Sequence, residues 1–266
     1  MADLIMDTNF YMENLSLNRT GDFNIKPTFL NLWEITSSQN ITSHKLNQRV
    51  KIKNACIKIL LFNVNPIKYH PFIFLLNNKA KNIVKKKNEE IYDHLISILP
   101  QIICGEIDFL NVKIFTQTAF EGRLEIAAHL NSWLHYNISQ FDYEERLGQL
   151  EDKEFMKTNV KDIMISIAKK SLPVTHPELS SLGDDIISTF IDWDKVQLAV
   201  DSTAVFLHNK LDKNYTDDSK PNVQPNDIND FLMLLYLTEE KMLYFTDETK
   251  WRNRIKTAGY SNRLVE

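Results

Sequence analysis

Short apolar runs mark both ends of the chain, and long helical patterns lie between them. Residues 3–6 form an apolar run that ends at Asp7, and residues 241–246 form a second one. Runs of this length, bounded by polar residues, predict buried strands. From about residue 42 to residue 200, as in the segment 119–137, apolar residues recur every three or four positions. This spacing predicts helices that are packed on one face.

Start signals predict further helices near the two ends. Thr28 is a suitable N-cap for a helix that carries Glu34, because its hydroxyl can accept a hydrogen bond from the first helical turn. Helical spacing also predicts helices over residues 193–211, 226–237 and 249–257. Short strands that alternate with helices at both ends predict an α/β fold with a small parallel sheet.

The composition is that of a soluble globular protein. Hydrophobic residues make up 43% of the 266 residues and charged residues 25%, a length that suits one large domain or two ordinary ones. Only 6 glycines occur, so few tight turns and long helices are expected. The first residues lack the basic segment and apolar stretch of a signal peptide, and no apolar run is long enough to cross a bilayer. We therefore expect a cytoplasmic protein without membrane association.

Charge and cysteine content narrow the kinds of site that the chain can hold. The net charge is -4, so a nucleic-acid-binding surface would require basic residues that are concentrated locally. Cys56 and Cys104 are the 2 cysteines, too few for a disulfide framework or a zinc centre. The sequence has no Ser-His-Asp or Cys-His pattern and no phosphate-binding glycine loop.

Acidic residues fall where the predicted buried elements end. Asp7 directly follows the first strand, and Asp247 and Glu248 directly follow the last one. Asp227 and Asp230 open the helix before the last strand, three residues apart and therefore on one helix face. Ligand sites of parallel sheets lie beyond the carboxyl ends of the strands. We therefore expect these side chains to gather in one cleft.

Together with Glu34, these carboxylates form a candidate metal site. Two unit charges 4 Å apart repel by about 4 kcal/mol at an effective dielectric of 20, so the cluster is costly without a cation. Oxygen ligands suit Mg²⁺ or Mn²⁺, ions that activate water for phosphate hydrolysis. Structural roles stay open for Asp227 and Asp230 as helix caps and for Glu34 on a solvated face. Asp7, directly after an apolar strand, is poorly placed for a structural role.

Four short motifs, taken in order, resemble those of PIN domains. Residues 4–9, Leu-Ile-Met-Asp-Thr-Asn, are similar to the opening motif, an apolar strand followed by Asp-Thr/Ser-Asn. Residues 29–34, 226–236 and 243–248 resemble the second, third and fourth motifs. The order of the motifs and the 16-residue step from Asp230 to Thr246 also fit that family.

The resemblance implies a parallel α/β/α sandwich whose acids bind Mg²⁺ or Mn²⁺ and cleave single-stranded RNA. The matched positions imply that the metal-binding and catalytic acids are Asp7, Glu34 and Asp230, with Asp227 as an additional acid. Thr246 and Asn9 would orient the site. The last acid of the family stands two residues after the threonine. Here that position is Glu248, with Asp247 one residue earlier, so either of the two can serve.

The resemblance is confined to the ends of the chain. We expect residues 1–41 and 195–266 to form the PIN-like catalytic core. Residues 42–194 match none of the motifs and are expected to be a mostly helical insertion that also contains some core strands. Residues 111–116, Asn-Val-Lys-Ile-Phe-Thr, are the candidate for such a strand.

Basic residues close to the acids are candidates for RNA binding. Arg252, Arg254 and Lys256 follow the last acids directly, and arginine and aromatic faces suit single strands. Trp251 beside them serves equally well in packing the terminal helix. A second basic run is either a solvated helix face or a phosphate-contacting patch. It consists of Lys79, Lys81, Lys85, Lys86 and Lys87.

Three functions follow from these patterns. The first is a metal-dependent endoribonuclease, a toxin or defence effector by the habits of the family. The second is a non-catalytic PIN-like protein that binds a partner protein through its helical insertion. The third is a DNA nuclease, since related acidic sites cut DNA. The sequence does not indicate an oligomeric state.

Overall fold

The computed structural model describes residues 2–13, 23–107, 109–175, 189, 191–213, 221–238 and 241–265. In this part of the chain the strands are β1 (Ala2–Met6), β2 (Phe23–Ile25) and β3 (Met242–Phe245). The helices are α1 (Thr8–Met12), α2 (Phe29–Thr36), α3 (Leu46–Phe62), α4 (Asn78–Cys104), α5 (Phe109–Gln140), α6 (Tyr143–Glu151), α7 (Lys153–Thr175), α8 (Gln197–Leu211), α9 (Pro225–Leu234) and α10 (Thr249–Thr257).

β1 is the central strand of a parallel sheet with the order β2-β1-β3. Leu4 is aligned with Ile25 of β2 on one side and with Leu243 of β3 on the other. Leu4, Ile5 and Met6 of β1 are almost fully buried, because the strand is paired at both edges and covered on both faces. Burial on both faces explains why its sequence is a continuous apolar run and does not alternate. Both predicted strands are confirmed.

Successive residues of β1 face different layers of helices. Ile5 lies in a core formed largely by α5, α7, α8, α9 and α10. Leu4 and Met6 lie in a second core, to which α1, α3 and α4 contribute. The protein is therefore mixed α/β, with helices packed on both faces of a small parallel sheet.

Thr28 begins α2 as the sequence predicts. Its hydroxyl accepts a hydrogen bond from the backbone N–H of Asn31 at 3.2 Å, and the Asn31 side chain accepts one from the backbone N–H of Thr28 at 3.0 Å. This reciprocal pair satisfies two donors of the first turn, as a capping box does. It fixes the start of the helix that carries Glu34.

The predicted strand at residues 111–116 is wrong, since these residues lie inside α5. Its β-branched residues favour a strand locally, but no proline bounds the run and a longer helical pattern follows it. The boundaries of other helices differ by a few residues. The helix predicted from residue 193 begins at Gln197, and the helix predicted to end at residue 237 ends at Leu234. None of the described helices is long and apolar enough to span a bilayer.

Candidate acidic site at the carboxyl edge of the sheet

Asp7 joins the end of β1 to the end of β3. Its backbone N–H donates to the carbonyl of Phe245 at 2.9 Å, which extends the sheet pairing by one residue. Its carboxylate accepts a hydrogen bond from the Thr246 hydroxyl at 3.1 Å on Oδ2 and one from the backbone N–H of Asn9 at 3.3 Å on Oδ1. Asp7 and Thr246 are both buried.

Asp7 also has a structural role, contrary to the expectation from its position after a strand. Its side chain is the N-cap of α1, so one carboxylate oxygen satisfies a free donor of that short helix. The side chain of Asn9 is exposed, and Asn9 contacts Asp7 through its backbone N–H.

Glu34 is held by two side chains from opposite ends of the chain. The Thr8 hydroxyl donates to Oε2 of Glu34, and the Asn229 amide donates to Oε1. The Asn31 amide in turn donates to the Thr8 hydroxyl at 3.1 Å and to the Met6 carbonyl at 3.0 Å. Glu34 is therefore fixed inside a polar network and does not lie on a solvated helix face.

Sequence reasoning did not assign roles to Thr8, Asn31 and Asn229. All three lie within the motifs that resemble PIN domains, directly beside a proposed acid or within three residues of one. Asn31 is fully buried and Asn229 nearly so, and a buried amide requires hydrogen-bond partners. Polar residues inside the apolar runs of those motifs were the available signal.

The carboxylates at this edge raise one another's pKa. Burial and the negative charges of Glu248, Asp7 and Glu34 raise the pKa of Asp230 to about 9. Burial and the charge of Asp7 also raise the pKa of Glu34 to about 7, although the hydrogen bond from Thr8 opposes the shift. We call Asp7, Glu34, Asp230 and Glu248 the acidic site. A neighbouring negative charge disfavours ionisation of a carboxyl group, which is why these acids raise one another's pKa.

Glu248 is influenced by the charges of other acids at this edge. Burial raises the pKa of Glu248, and the charges of Asp7 and Asp227 raise it further. Asp247 contributes to the raised pKa of Asp7, after burial as the main cause. The backbone N–H of Glu248 donates to the Thr246 hydroxyl at 3.1 Å. One threonine thus links the position of Asp7 to the turn that carries Glu248.

Asp227 acts as a helix cap. Its carboxylate accepts a hydrogen bond from the backbone N–H of Gln224 at 2.9 Å, within a capping box at the start of α9. The structural role that the sequence left open for Asp227 is therefore present. Its charge still contributes to the raised pKa of Glu248.

Arg254 is a basic residue that interacts electrostatically with the acidic site. Its guanidinium lies 4.4 Å from the ring centre of Phe206 and 4.6 Å from that of Trp251. These two rings stack at 5.8 Å with an angle of 13°. Burial lowers the pKa of Arg254, while the charges of Asp227, Asp230 and Glu248 raise it. The stacked rings thus hold a positive charge beside the acids.

The other predicted RNA-binding residues lie on the same helix as Arg254. Arg252 is half-buried and Lys256 is exposed on α10. Trp251 packs in the core, as the structural reading of the sequence allowed. Its buried indole N–H makes no hydrogen bond of ordinary geometry, and its interaction with Asp230 offsets only a small part of the raised pKa. In the lysine run on α4, the side chain of Lys86 is exposed to solvent. Its ammonium nitrogen lies 4.0 Å from a carboxylate oxygen of Glu90.

The donor chemistry of the acidic site suits a hard cation, since all of its candidate ligands are carboxylate oxygens. Among the residues that the structure describes, however, no three His, Cys, Asp or Glu side chains are arranged as a ready metal site. Both oxygens of Asp7 and both oxygens of Glu34 already accept hydrogen bonds.

In comparisons with known proteins, no family model, no curated protein and no solved structure matched this chain significantly.

Proposed function

We propose that this protein is a metal-dependent endoribonuclease that hydrolyses phosphodiester bonds in single-stranded RNA. The observation that carries the proposal is the mutual electrostatic coupling of Asp7, Glu34, Asp230 and Glu248 at one edge of a parallel sheet. Such an edge is where parallel sheets place their ligand sites. Strongly raised carboxylate pKa values in one cluster are also typical of functional sites.

The cluster opposes folding when no cation is present. A pKa of about 9 for Asp230 means that its charged form is disfavoured at neutral pH by burial and by neighbouring acids. Structural roles alone do not require so many acids to face one another. A divalent ion would convert this repulsion into attraction, which supports Mg²⁺ or Mn²⁺ as the cofactor.

The side chains that would bind the ion are Asp7, Asp230 and Glu248. Glu34 would add a further negative charge near it. A bound divalent ion activates water and stabilises the charge that develops on a phosphate during hydrolysis. Thr246 would keep the Asp7 carboxylate in place through the hydrogen bond described above. The Thr8 and Asn229 hydrogen bonds would do the same for Glu34.

The choice of RNA rests on the resemblance of the four ordered motifs to PIN domains. Basic side chains at the rim are consistent with a nucleic-acid backbone as the ligand. Arg254 lies among the acids' neighbours, and Arg252 and Lys256 follow on the same short helix. A DNA nuclease is the closely related alternative, and the assay below separates the two substrates.

A non-catalytic role is the second candidate, and one observation favours it. Glu34 and Asp7 already accept two hydrogen bonds each, and Asp7 caps α1. In that case the acids would hold the chain ends together, and the helical layers would bind a partner protein. Such a protein would show no metal-dependent cleavage.

A cleavage assay tests the proposal directly. The full chain is incubated with labelled single-stranded RNA or single-stranded DNA in Mg²⁺, Mn²⁺ or EDTA. We expect cleavage of RNA with Mn²⁺ or Mg²⁺, no cleavage in EDTA, and little cleavage of DNA. Asp7→Asn and Asp230→Asn should each reduce the rate by about a hundredfold or more, because metal activation supplies several kcal/mol and each 1.36 kcal/mol is tenfold.

Asp162→Asn is the matched control, since Asp162 is exposed on α7. Its rate should equal that of the wild type. Metal-dependent cleavage that survives in both Asp7→Asn and Asp230→Asn would place the activity elsewhere, and cleavage that persists in EDTA would exclude the proposed chemistry.

A further inference from the structure

An apolar stripe lies exposed along one face of α3. It consists of Leu46, Val50, Ile57 and Leu61, which are 67%, 44%, 42% and 71% exposed. Their spacing of four, seven and four residues puts them on one side of the helix. The opposite side, with Ile52, Ala55, Cys56 and Ile59, is buried in the core. We call the exposed set the α3 stripe.

The α3 stripe lies in a segment whose Asp, Glu, Lys and Arg positions are all basic. Between residues 35 and 88 the sequence holds eleven of its 31 Lys and Arg residues and none of its 35 Asp and Glu residues. The remaining 20 basic residues and all 35 acidic ones lie elsewhere. The segment therefore carries a formal charge of +11 within a chain whose net charge is -4. Arg49 and Lys51, both exposed, flank the stripe directly.

Nothing in the acidic site uses this surface. Of the hydrogen bonds and charge contacts that position its four carboxylates, none that the structure describes comes from α3. Scattered single apolar residues are normal on a protein surface, but four exposed apolar residues aligned on one helix face indicate an interaction site. The stripe is therefore a candidate binding surface that is separate from the acidic site.

We propose that the α3 stripe is the docking surface for an acidic, amphipathic helix of a partner protein. The stripe runs straight for about 22 Å at the rise of an α-helix. A helix of similar length can lay an apolar face on it, with anchors at the same spacing. Glutamate or aspartate residues beside those anchors would face Arg49 and Lys51 and the surrounding positive field.

A second copy of this chain fits the surface poorly. Pairing two α3 stripes would bring Arg49 and Lys51 of one copy near those of the other, and like charges across an interface are unfavourable. An anionic lipid surface also fits less well. Helices that lie in a membrane interface usually anchor themselves with Trp and Phe as well as Leu, whereas the stripe has leucines but no aromatic residue, and half-buried Asn54 lies between Val50 and Ile57.

Fluorescence anisotropy with a designed probe tests the proposal. The probe is a labelled synthetic helix whose leucines repeat the spacing of the α3 stripe and whose flanking positions are glutamate. A matched peptide has lysine in place of each glutamate. We expect the acidic peptide to bind, with an affinity that falls as salt rises. The lysine peptide should bind at least about tenfold more weakly.

Two kinds of variant locate the binding surface. Leu61→Ser should weaken binding of the acidic peptide by about tenfold or more, since burying one leucine contributes about 1.5–3 kcal/mol. The double variant Arg49→Glu/Lys51→Glu should do the same through charge. The matched controls are Leu124→Ser, an exposed leucine on α5, and Lys213→Glu/Lys241→Glu, two exposed lysines outside the basic segment. These controls should bind like the wild type, and thermal melts should show all variants folded.

Several results would overturn the proposal. These are failure of the acidic peptide to bind, equal binding of the lysine peptide, or equal loss in the control variants. Sedimentation equilibrium that shows a dimer broken by Leu61→Ser would assign the stripe to a second copy. Co-sedimentation with phosphatidylserine vesicles that depends on Leu61, without peptide binding, would assign it to lipid. None of these measurements depends on nuclease activity, so they stand apart from the test of the acidic site.

Discussion

The hydroxyl of Thr246 donates a hydrogen bond to Asp7 at 3.1 Å, between residues that are 239 positions apart in the sequence. The same hydroxyl accepts a hydrogen bond from the backbone N–H of Glu248. This one buried side chain therefore fixes the first and last acids of the proposed site relative to each other. Its effect on the site should be larger than its effect on the fold as a whole.

Thr246→Val tests this relationship. Valine keeps the shape of threonine but removes the hydroxyl, so Asp7 loses a buried donor and Glu248 loses an acceptor. We expect the free energy of unfolding to fall by about 1–3 kcal/mol. If the acidic site is functional, the rise in melting temperature on adding Mn²⁺ should also shrink. Urea unfolding and thermal melts with and without Mn²⁺ measure the two effects.

Thr36→Val provides the control for this prediction. Thr36 is also buried, and its hydroxyl donates to the Leu32 carbonyl within α2 and not to a carboxylate. It should change stability without changing the Mn²⁺-induced rise. An identical Mn²⁺ response in Thr246→Val and the wild type would show that Thr246 does not orient a metal-binding acid.

The pH dependence of stability provides a prediction for Asp230. Its folded pKa of about 9 stands above its ordinary value of 3.8. A raised pKa means that the stability linked to this group is present below about pH 4 and is lost as the pH rises toward 9. Asp230→Asn removes this loss. In EDTA the variant should therefore gain stability relative to the wild type as the pH increases from 5 to 8.5, measured by urea unfolding.

The comparison between variant and wild type at each pH removes the titration of unrelated groups. Exposed Asp162→Asn should show the same difference from wild type at both pH values. If the difference for Asp230→Asn is also constant across this range, Asp230 is not held in a repulsive carboxylate cluster.

Two variants of Arg254 distinguish the contribution of its positive charge to stability from that of its stacking on aromatic rings. Arg254→Gln removes the positive charge and the planar stack on Phe206 and Trp251, whereas Arg254→Lys keeps the charge. Loss of the stack should cost both variants about 0.5–2 kcal/mol. In EDTA at pH 8.5, Arg254→Gln should be the less stable of the two, because the charge of Glu248 then has no neighbour of opposite sign at position 254.

Chemical unfolding of the two variants at pH 5 and pH 8.5 measures this difference. The gap in unfolding free energy between the two variants should narrow at pH 5, where Glu248, whose pKa is raised, carries less charge. Equal stability of the glutamine and lysine variants at both pH values would mean that Arg254 contributes by packing alone.

The sequence predicts the elements that local patterns specify. The apolar run after Ala2 gave β1, Thr28 gave the start of α2, and residues 249–257 gave α10. β2 was missed, because Phe23–Ile25 is only three residues long and contains no sustained alternation. The strand expected at residues 111–116 failed for the opposite reason, since a local preference for β structure was overridden by the long helix around it.

The residues of the candidate site also fall into those that local sequence predicts and those that only tertiary packing brings together. Position after a strand predicted Asp7 and either Asp247 or Glu248 as site residues. The polar residues that hold the acids could not be predicted in this way, since Asn229 reaches Glu34 across 195 positions of sequence. Such contacts depend on how α2 and α9 pack together, which no local pattern specifies.

Asn31 gives the strongest stability prediction, because its buried amide has four partners. Its Nδ2 donates to the Met6 carbonyl and the Thr8 hydroxyl, and its Oδ1 accepts from the backbone N–H and the hydroxyl of Thr28. Asn31→Ala removes the capping box of α2, which costs about 0.5–2 kcal/mol, and leaves the buried Met6 carbonyl with one partner fewer, which costs about 1–3 kcal/mol. We expect a combined loss of about 2–4 kcal/mol in the free energy of unfolding.

Asn24→Ala is the control: Asn24 is only partly buried and donates to Asp3 near the edge of the sheet, so its loss should stay below about 1 kcal/mol. Urea unfolding of both variants decides the matter. If Asn31→Ala costs no more than Asn24→Ala, the network from Thr28 through Asn31 to Thr8 does not hold Glu34 in place, and the polar support proposed for the acidic site fails with it.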